Sequence, residues 1–212
     1  LKRTCVRTNV WVLTTPRTRK CFHRGVTATI QRLTAAEFLM LVPTLVDIYI
    51  EAMGYPRSMR RQRIQVWKGE VRSPGFTAIA AIEGGQVVGV AYGFIGTRER
   101  WWDRQLVRAM EANGGITDQD RDMLRSYFEV AEVHVSPALQ GNGLGSRLLT
   151  ELLREAPTRW ALLSTPEVAG EANNAFGLYR KFGFTDVARN FLYEGDKRPF
   201  AILTLDLQNR TG

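Results

Sequence analysis

The period of the apolar positions changes repeatedly along the chain. Val26–Leu33 alternates apolar and polar residues with period two, which predicts a first strand. Thr34 follows with Glu37 three residues on, the spacing of a capping box, so a helix is expected to about Met53, interrupted or kinked near Pro43. Ser58–Val71 reads as a second helix. Phe76–Glu83 and Gln86–Ile95 read as strands joined by Gly84-Gly85, a two-residue hairpin signal. Thr97–Ser126 is too long for a structureless connection in a compact domain. Two short helices are expected there, near Glu99–Ala112 and Thr117–Ser126, separated by Asn113-Gly114-Gly115. Phe128–Val135 is a β-branched strand, and Ser136–Gly145 a loop with one Pro and three Gly. Leu144, Leu148, Leu149, Leu152 and Leu153 then recur at helical spacing up to Pro157. Strands at Arg159–Ser164, Val187–Tyr193 and Phe200–Leu207, with a helix over Glu171–Phe182, complete seven strands and a helical set.

A glycine-spaced loop between a strand and a helix N-terminus is suited to an anion. The first-turn amides have no partner inside the helix and the macrodipole is positive there. A dinucleotide fingerprint would need glycine at 146, which is Ser146, and no Gly-Lys-Ser/Thr tripeptide of a nucleoside triphosphate loop occurs. A glycine turn that merely packs the helix on the sheet is the plainer reading of the same residues.

Charge does not point to nucleic acid as the main partner. The net charge is +8, but Lys2, Arg3, Arg7, Arg17, Arg19, Lys20 and Arg24 all precede residue 26, with no Asp or Glu among them. The remainder holds 22 Lys and Arg against 21 Asp and Glu and is nearly neutral. The division expected is a basic, disordered extension over residues 1–25 and one domain over 26–207. Nucleic-acid contact is open to the extension and is not expected of the core. Both cysteines, Cys5 and Cys21, lie in the extension, leaving the core without a disulfide or Cys ligands and suiting a cytoplasmic setting. Two histidines, His23 and His134, make no metal cluster, and no apolar run is long enough to span a membrane.

Gln140-Gly141-Asn142-Gly143-Leu144-Gly145 resembles the Q/R-x-x-G-x-G/A signature of the GNAT superfamily of acetyl-CoA-dependent N-acetyltransferases. Val135-Ser136-Pro137 matches the usual end of that family's fourth strand. Some forty residues on, Ala175 to Phe184 resembles its second signature, A-x-x-L-Y-x-x-x-G-F. The resemblance covers residues 26–207. It implies an α/β (α+β) GNAT fold, with a central mixed, mostly antiparallel sheet of seven strands, flanking helices, and a splay between strands 4 and 5. It also implies that acetyl-CoA enters that splay as the acetyl donor, with no metal. Its pyrophosphate would rest on the amides of Gln140, Gly141, Asn142, Gly143, Leu144, Gly145 and Ser146, and its pantetheine along Val133 and Val135. The family's Asn, seven residues before the Tyr, falls here on Ala172, so the contact is lost or shifts to Asn173 or Asn174.

The implied function is acetyl transfer to an amine of a small molecule or protein. The alternative is a non-catalytic acyl-CoA sensor or regulatory module of the same fold. Tyr179 matches the tyrosine that protonates the leaving thiolate in many family members and also belongs to the cofactor-binding set. For the base, regular strand alternation puts Glu129, Ala131, Val133 and Val135 on one face, and Phe128, Val130, Glu132 and His134 on the other. The two glutamates then cannot share a site, and the resemblance favours Glu129 with Glu132 second. His134 is read as a strand-surface histidine. Arg60, Arg61 and Arg63 are read as a solvated face, with a rim for an acidic acceptor or the cofactor phosphates as the alternative. The acceptor itself is not legible, but the 97–126 insert is expected to form one wall of its site. Monomer and homodimer both remain open.

Overall fold

Seven strands form one sheet in the computed structural model, which describes residues 28–209. They are β1 (Thr29–Leu33), β2 (Thr77–Glu83), β3 (Gln86–Ile95), β4 (Tyr127–Val135), β5 (Trp160–Pro166), β6 (Thr185–Leu192) and β7 (Pro199–Asp206). Their spatial order is β1-β2-β3-β4-β5-β7-β6. Every neighbouring pair is antiparallel except β4 and β5. The helices are α1 (Ala35–Met53), α2 (Arg60–Glu70), α3 (Trp101–Ala112), α4 (Asp118–Arg125), α5 (Leu144–Arg154) and α6 (Asn174–Lys181). The basic extension over residues 1–25 lies outside the described residues, as do Val26 and Thr27 of the expected first strand.

Local chemistry sets the element ends. The Thr34 hydroxyl accepts from the Glu37 amide at 3.2 Å while the Glu37 carboxylate accepts from the Thr34 amide at 2.7 Å, starting α1. Gly54, left-handed at φ 63°, ends it. No interruption occurs at Pro43: α1 is continuous, and Phe38, Val42, Leu45, Val46 and Tyr49 bury its inner face. The β2–β3 turn has positive φ at both Gly84 and Gly85, as a type I′ hairpin requires. The last helix is shorter than the apolar pattern predicts. Glu171, the last residue of a separate 3-10 turn, adopts φ 55°, and α6 starts only where Asn173 Oδ1 accepts from the Phe176 amide at 2.8 Å.

Three apolar clusters cover the sheet. α5 and α6 pack on one face through Leu144, Leu148, Leu149, Leu152, Phe176 and Tyr179. α1 and α2 cover β1–β4 through Phe38, Val42, Tyr49 and Trp67 against Tyr92 and Phe94. The insert, α3 and α4, covers the β5–β7 side through Leu106, Met110 and Met123 against Trp160, Leu162 and Ile202. Tyr127 packs with the insert, whereas Phe128 packs with α5, so by alternation the insert lies on the α1–α2 face. A cleft therefore runs between the two helix pairs.

Two irregularities of β4 shape that cleft. Its ladder with β5 consists of Tyr127↔Trp160, Phe128↔Ala161 and Glu129↔Leu162 and goes no further, which is the expected splay. On the other edge, Glu132 pairs with Tyr92 and Val130 with Gly93, leaving Ala131 as the extra residue of a bulge. Gly93 is needed opposite it, since a Cβ there would come within 2.4 Å of the Glu129 carbonyl oxygen.

Candidate active site

The loop before α5 has the construction of an anion cradle. Gly141 and Gly143 sit at φ 78° and 77°, and Gly143 stands at the N-cap position without a side-chain cap. Among the described residues, no backbone carbonyl accepts from the amides of Gly141, Asn142, Gly143, Leu144, Gly145 or Ser146. The Gln140 amide points back to the Pro137 carbonyl at 3.4 Å. The side chains brace the loop: Gln140 Nε2 donates to the Val135 carbonyl at 3.0 Å, and Asn142 Nδ2 to the Leu139 carbonyl at 3.3 Å. Leu144 is buried in the core, so only its backbone is available to a ligand. The donor set is backbone amide at a helix N-terminus with no carboxylate in the loop, which fits a pyrophosphate.

Next to it, the bulge corrects the alternation expected for β4. Phe128, Val130, Val133 and Val135 pack on the α5 face, while Glu129, Ala131, Glu132 and His134 look to the other. Both glutamates therefore line one cavity of about 290 Å³, which also takes in Tyr49 and Arg63 from the α1–α2 side and Trp101 and Trp102 from the insert. Ser164 of β5 and Tyr193, Asp196 and Arg198 of the β6–β7 turn close it. Tyr193 donates to Ser164 Oγ at 2.8 Å and accepts from Trp102 Nε1 at 3.1 Å, so this wall offers ring surface with its polar atoms already paired. Asp196 is likewise held by Arg198 at 2.7 Å.

The two carboxylates differ. Glu129 is nine-tenths out of solvent, and burial pushes its pKa up to about 8; Arg100 opposes that, and Glu70, Glu132 and Asp103 reinforce it. Its Oε2 has no hydrogen-bond partner among the described residues and lies 3.6 Å from Arg100 Nε. Glu132 is hydrogen-bonded to His134 Nε2 at 2.6 Å. His134 is not a surface residue: its side chain is 9% exposed and its ring packs edge-on against Tyr49.

Tyr179 does not line the cavity. It is buried on the α5–α6 face, edge-on to Phe184. Burial, and then the charge of Glu132, raise its pKa and keep the phenol protonated. Asn173 spends its side-chain oxygen on the α6 cap, and Asn174 is exposed in the first turn. Of the three arginines read as a solvated face, Arg60 pairs with Asp47, Arg61 is exposed, and Arg63 reaches the cavity over the Tyr49 ring.

Sequence reasoning missed Glu70, Tyr92 and Arg100, which surround Glu129 from three elements. No motif marks them. The bulge did leave a signal: the apolar pair Phe128 and Val130 is out of phase with Val133 and Val135, and one extra residue between them restores a continuous apolar face. Among the described residues there is no cluster of His, Cys, Asp and Glu able to hold a metal, and no helix long and apolar enough to cross a membrane.

A profile of the Acetyltransferase (GNAT) family matches residues 42–184, a span that includes both glycine-loop and α6 motifs. A GCN5-like protein acetyltransferase of Mycobacterium tuberculosis is 36% identical over 178 residues, covering 74% of this chain and 86% of that one. Solved structures of the same fold include yncA from Salmonella typhimurium with its cofactor acetyl-CoA, at TM-score 0.55 and 20% identity, covering 87% of this chain and 96% of that one. A ribosomal-protein-alanine N-acetyltransferase from Brucella melitensis also matches, at TM-score 0.55 and 21% identity, covering 84% and 99%. The chain belongs to the GNAT family of acetyltransferases.

Proposed function

We propose that the chain transfers the acetyl group of acetyl-CoA directly to an amine, with Glu129 as base and Tyr179 as acid. The observation that carries this reading is the bulge at Ala131, which turns two carboxylates into one cavity beside the β4–β5 splay. Acetyl-CoA supplies the acetyl thioester. The amides of Gly141 to Ser146 bind its pyrophosphate, and the backbone of β4 near Val133 and Val135 guides its pantetheine. Asn173 and Asn174 stand at the α6 end of that path.

The acceptor arrives from the cavity. Its nitrogen forms the new C–N bond as the C–S bond breaks. The nitrogen's proton passes to Glu129, directly or through water, and the departing sulfur takes one from Tyr179. A base with its pKa near the working pH both accepts and releases protons readily, which suits Glu129; Glu132, tied to His134, is second. The relative described as a protein acetyltransferase supports including protein amines among the acceptors, beside small molecules.

The test is release of free thiol from acetyl-CoA across a panel of amines. Turnover is expected, falling about 10²- to 10⁴-fold in Glu129→Gln. It should also fall in Tyr179→Phe, with acetyl-CoA still stabilising both variants. Stabilisation by acetyl-CoA without turnover on any amine, and without response to either substitution, would replace the enzyme with an acyl-CoA sensor.

A further inference from the structure

We propose that Arg100, delivered at the start of the helical insert, is a positioning residue that draws the Glu129 carboxylate towards its ionised form and holds it in place. This rests on Glu129 being the base. Arg100 does not line the cavity, and it touches four structural elements at once. Its guanidinium lies over the Phe94 ring of β3 at 4.0 Å. Its Nη1 donates to Ser73 Oγ at 3.1 Å, and its Nη2 reaches Glu70 Oε1 of α2 at 3.5 Å. Its Nε stands 3.6 Å from Glu129 Oε2. These last two atoms are both buried, and neither has a hydrogen-bond partner among the described residues. A buried donor and a buried acceptor that face only each other form a pair whose charge, more than its hydrogen bond, does the holding.

The surroundings make that charge matter. The groups acting on Glu129 are Arg100 at the N-cap of α3, Asp103 from α3, Glu70 from α2 and Glu132 from its own strand, and of these Arg100 alone favours the ionised form. Tyr92, Tyr127 and Tyr193 complete the shell, and the charge of Glu129 bears on each. Glu70 competes for the same guanidinium while its other oxygen accepts from the Tyr92 hydroxyl at 2.5 Å. One arginine is thus divided between a structural carboxylate and a chemical one. The insert reaches the reaction through this side chain as well as through the tryptophans that line the cavity.

The experiment is the pH profile of kcat/KM for acetyl transfer in the full chain and four variants. Glu129→Gln is expected to remove the acidic limb. Arg100→Gln should move the midpoint of that limb up by about one pH unit or more, as loss of a cation within 4–6 Å of a carboxylate does. Glu70→Gln should move it down, because it removes a repelling charge and releases Arg100 to Glu129. Arg100→Lys should fall between the native chain and Arg100→Gln. A merely structural brace would lower activity without moving the midpoints in opposite directions. If the limb vanishes in Glu129→Gln yet stays fixed in Arg100→Gln and Glu70→Gln, the positioning role is wrong while the base stands. If Glu129→Gln keeps the limb, the base assignment fails and this role with it. Should Arg100→Gln not fold, Arg100→Lys decides alone: an upward shift supports the proposal and an unmoved midpoint overturns it.

Discussion

Glu129 and Glu132 face the same cavity because Ala131, between them, has no partner on β3. They stand three positions apart, a spacing that a regular strand would resolve onto opposite faces. The bulge is held from across the ladder by the bare Cα of Gly93. Gly93→Ala would force a methyl against the Glu129 carbonyl and the Phe128 ring. A stability loss of about 1–3 kcal/mol is expected from such overpacking, with a fall in kcat and little change in acetyl-CoA affinity. A variant with native kcat would show that the bulge does not set the carboxylate geometry.

The raised pKa of Glu129 has a stability signature whose sign is fixed. Its folded value, about 8, lies above the ordinary 4.5, so its favourable contribution is fully present below about 4.5 and is lost as pH rises towards 8. Glu129→Gln carries no charge at any pH. Urea unfolding at pH 5 and pH 8.5 should therefore show the variant gaining on the native chain as pH rises. A constant difference between the two would mean that Glu129 is not desolvated as described.

The glycine loop separates ligand binding from chemistry. Gly143→Ala places a Cβ at φ 77°, costing about 1–2 kcal/mol in fold stability, and tilts the amides proposed to meet the pyrophosphate. For the native chain, acetyl-CoA and free CoA at a hundred times their dissociation constants should each add about 2.7 kcal/mol, while ATP should add little. Gly143→Ala should lose most of that increment in thermal unfolding. Equal stabilisation of both proteins by acetyl-CoA would remove the loop from the binding site.

Trp101 stands at the cavity with 45% of its surface exposed, near the Tyr193 ring. Trp101→Ala removes ring surface that an acceptor would meet and little that the core uses. The expected result is a raised KM for the amine, with thermal stability and acetyl-CoA binding near native. An unchanged KM over the amine panel would assign the acceptor's path to another wall.

Much of this was readable in the chain because the relevant signals are local. Glycine spacing marked the turn before α5, leucine spacing marked α5 itself, and the Thr34–Glu37 pair and Thr117 stand at helix starts that the structure keeps. Gly84-Gly85 gave the hairpin. What stayed hidden is what depends on residues far apart in sequence. Arg100, Glu70, Tyr92 and Glu129 meet only after β3, β4, α2 and the insert have packed, and no periodicity records that meeting. His134 looked like a surface residue because a strand pattern carries no information about which helix will lie over it; Tyr49 does. The early end of the α6 apolar pattern was missed for a different reason: Ala172 continues the apolar stripe, while the Asn173 cap and the left-handed Glu171 break the backbone.

The sheet also acts as a partition. The leucines of α5 and the glycine loop answer to one side of β4; α1, α2 and the insert answer to the other through separate apolar clusters, and the β6–β7 turn closes the cavity there. A substitution among the residues on the cavity side therefore need not be compensated beneath the glycine loop. In a lineage of such chains, the glycine-loop side can be inherited intact while the cavity lining is rewritten residue by residue, with the β4 bulge as the point where the two sides meet.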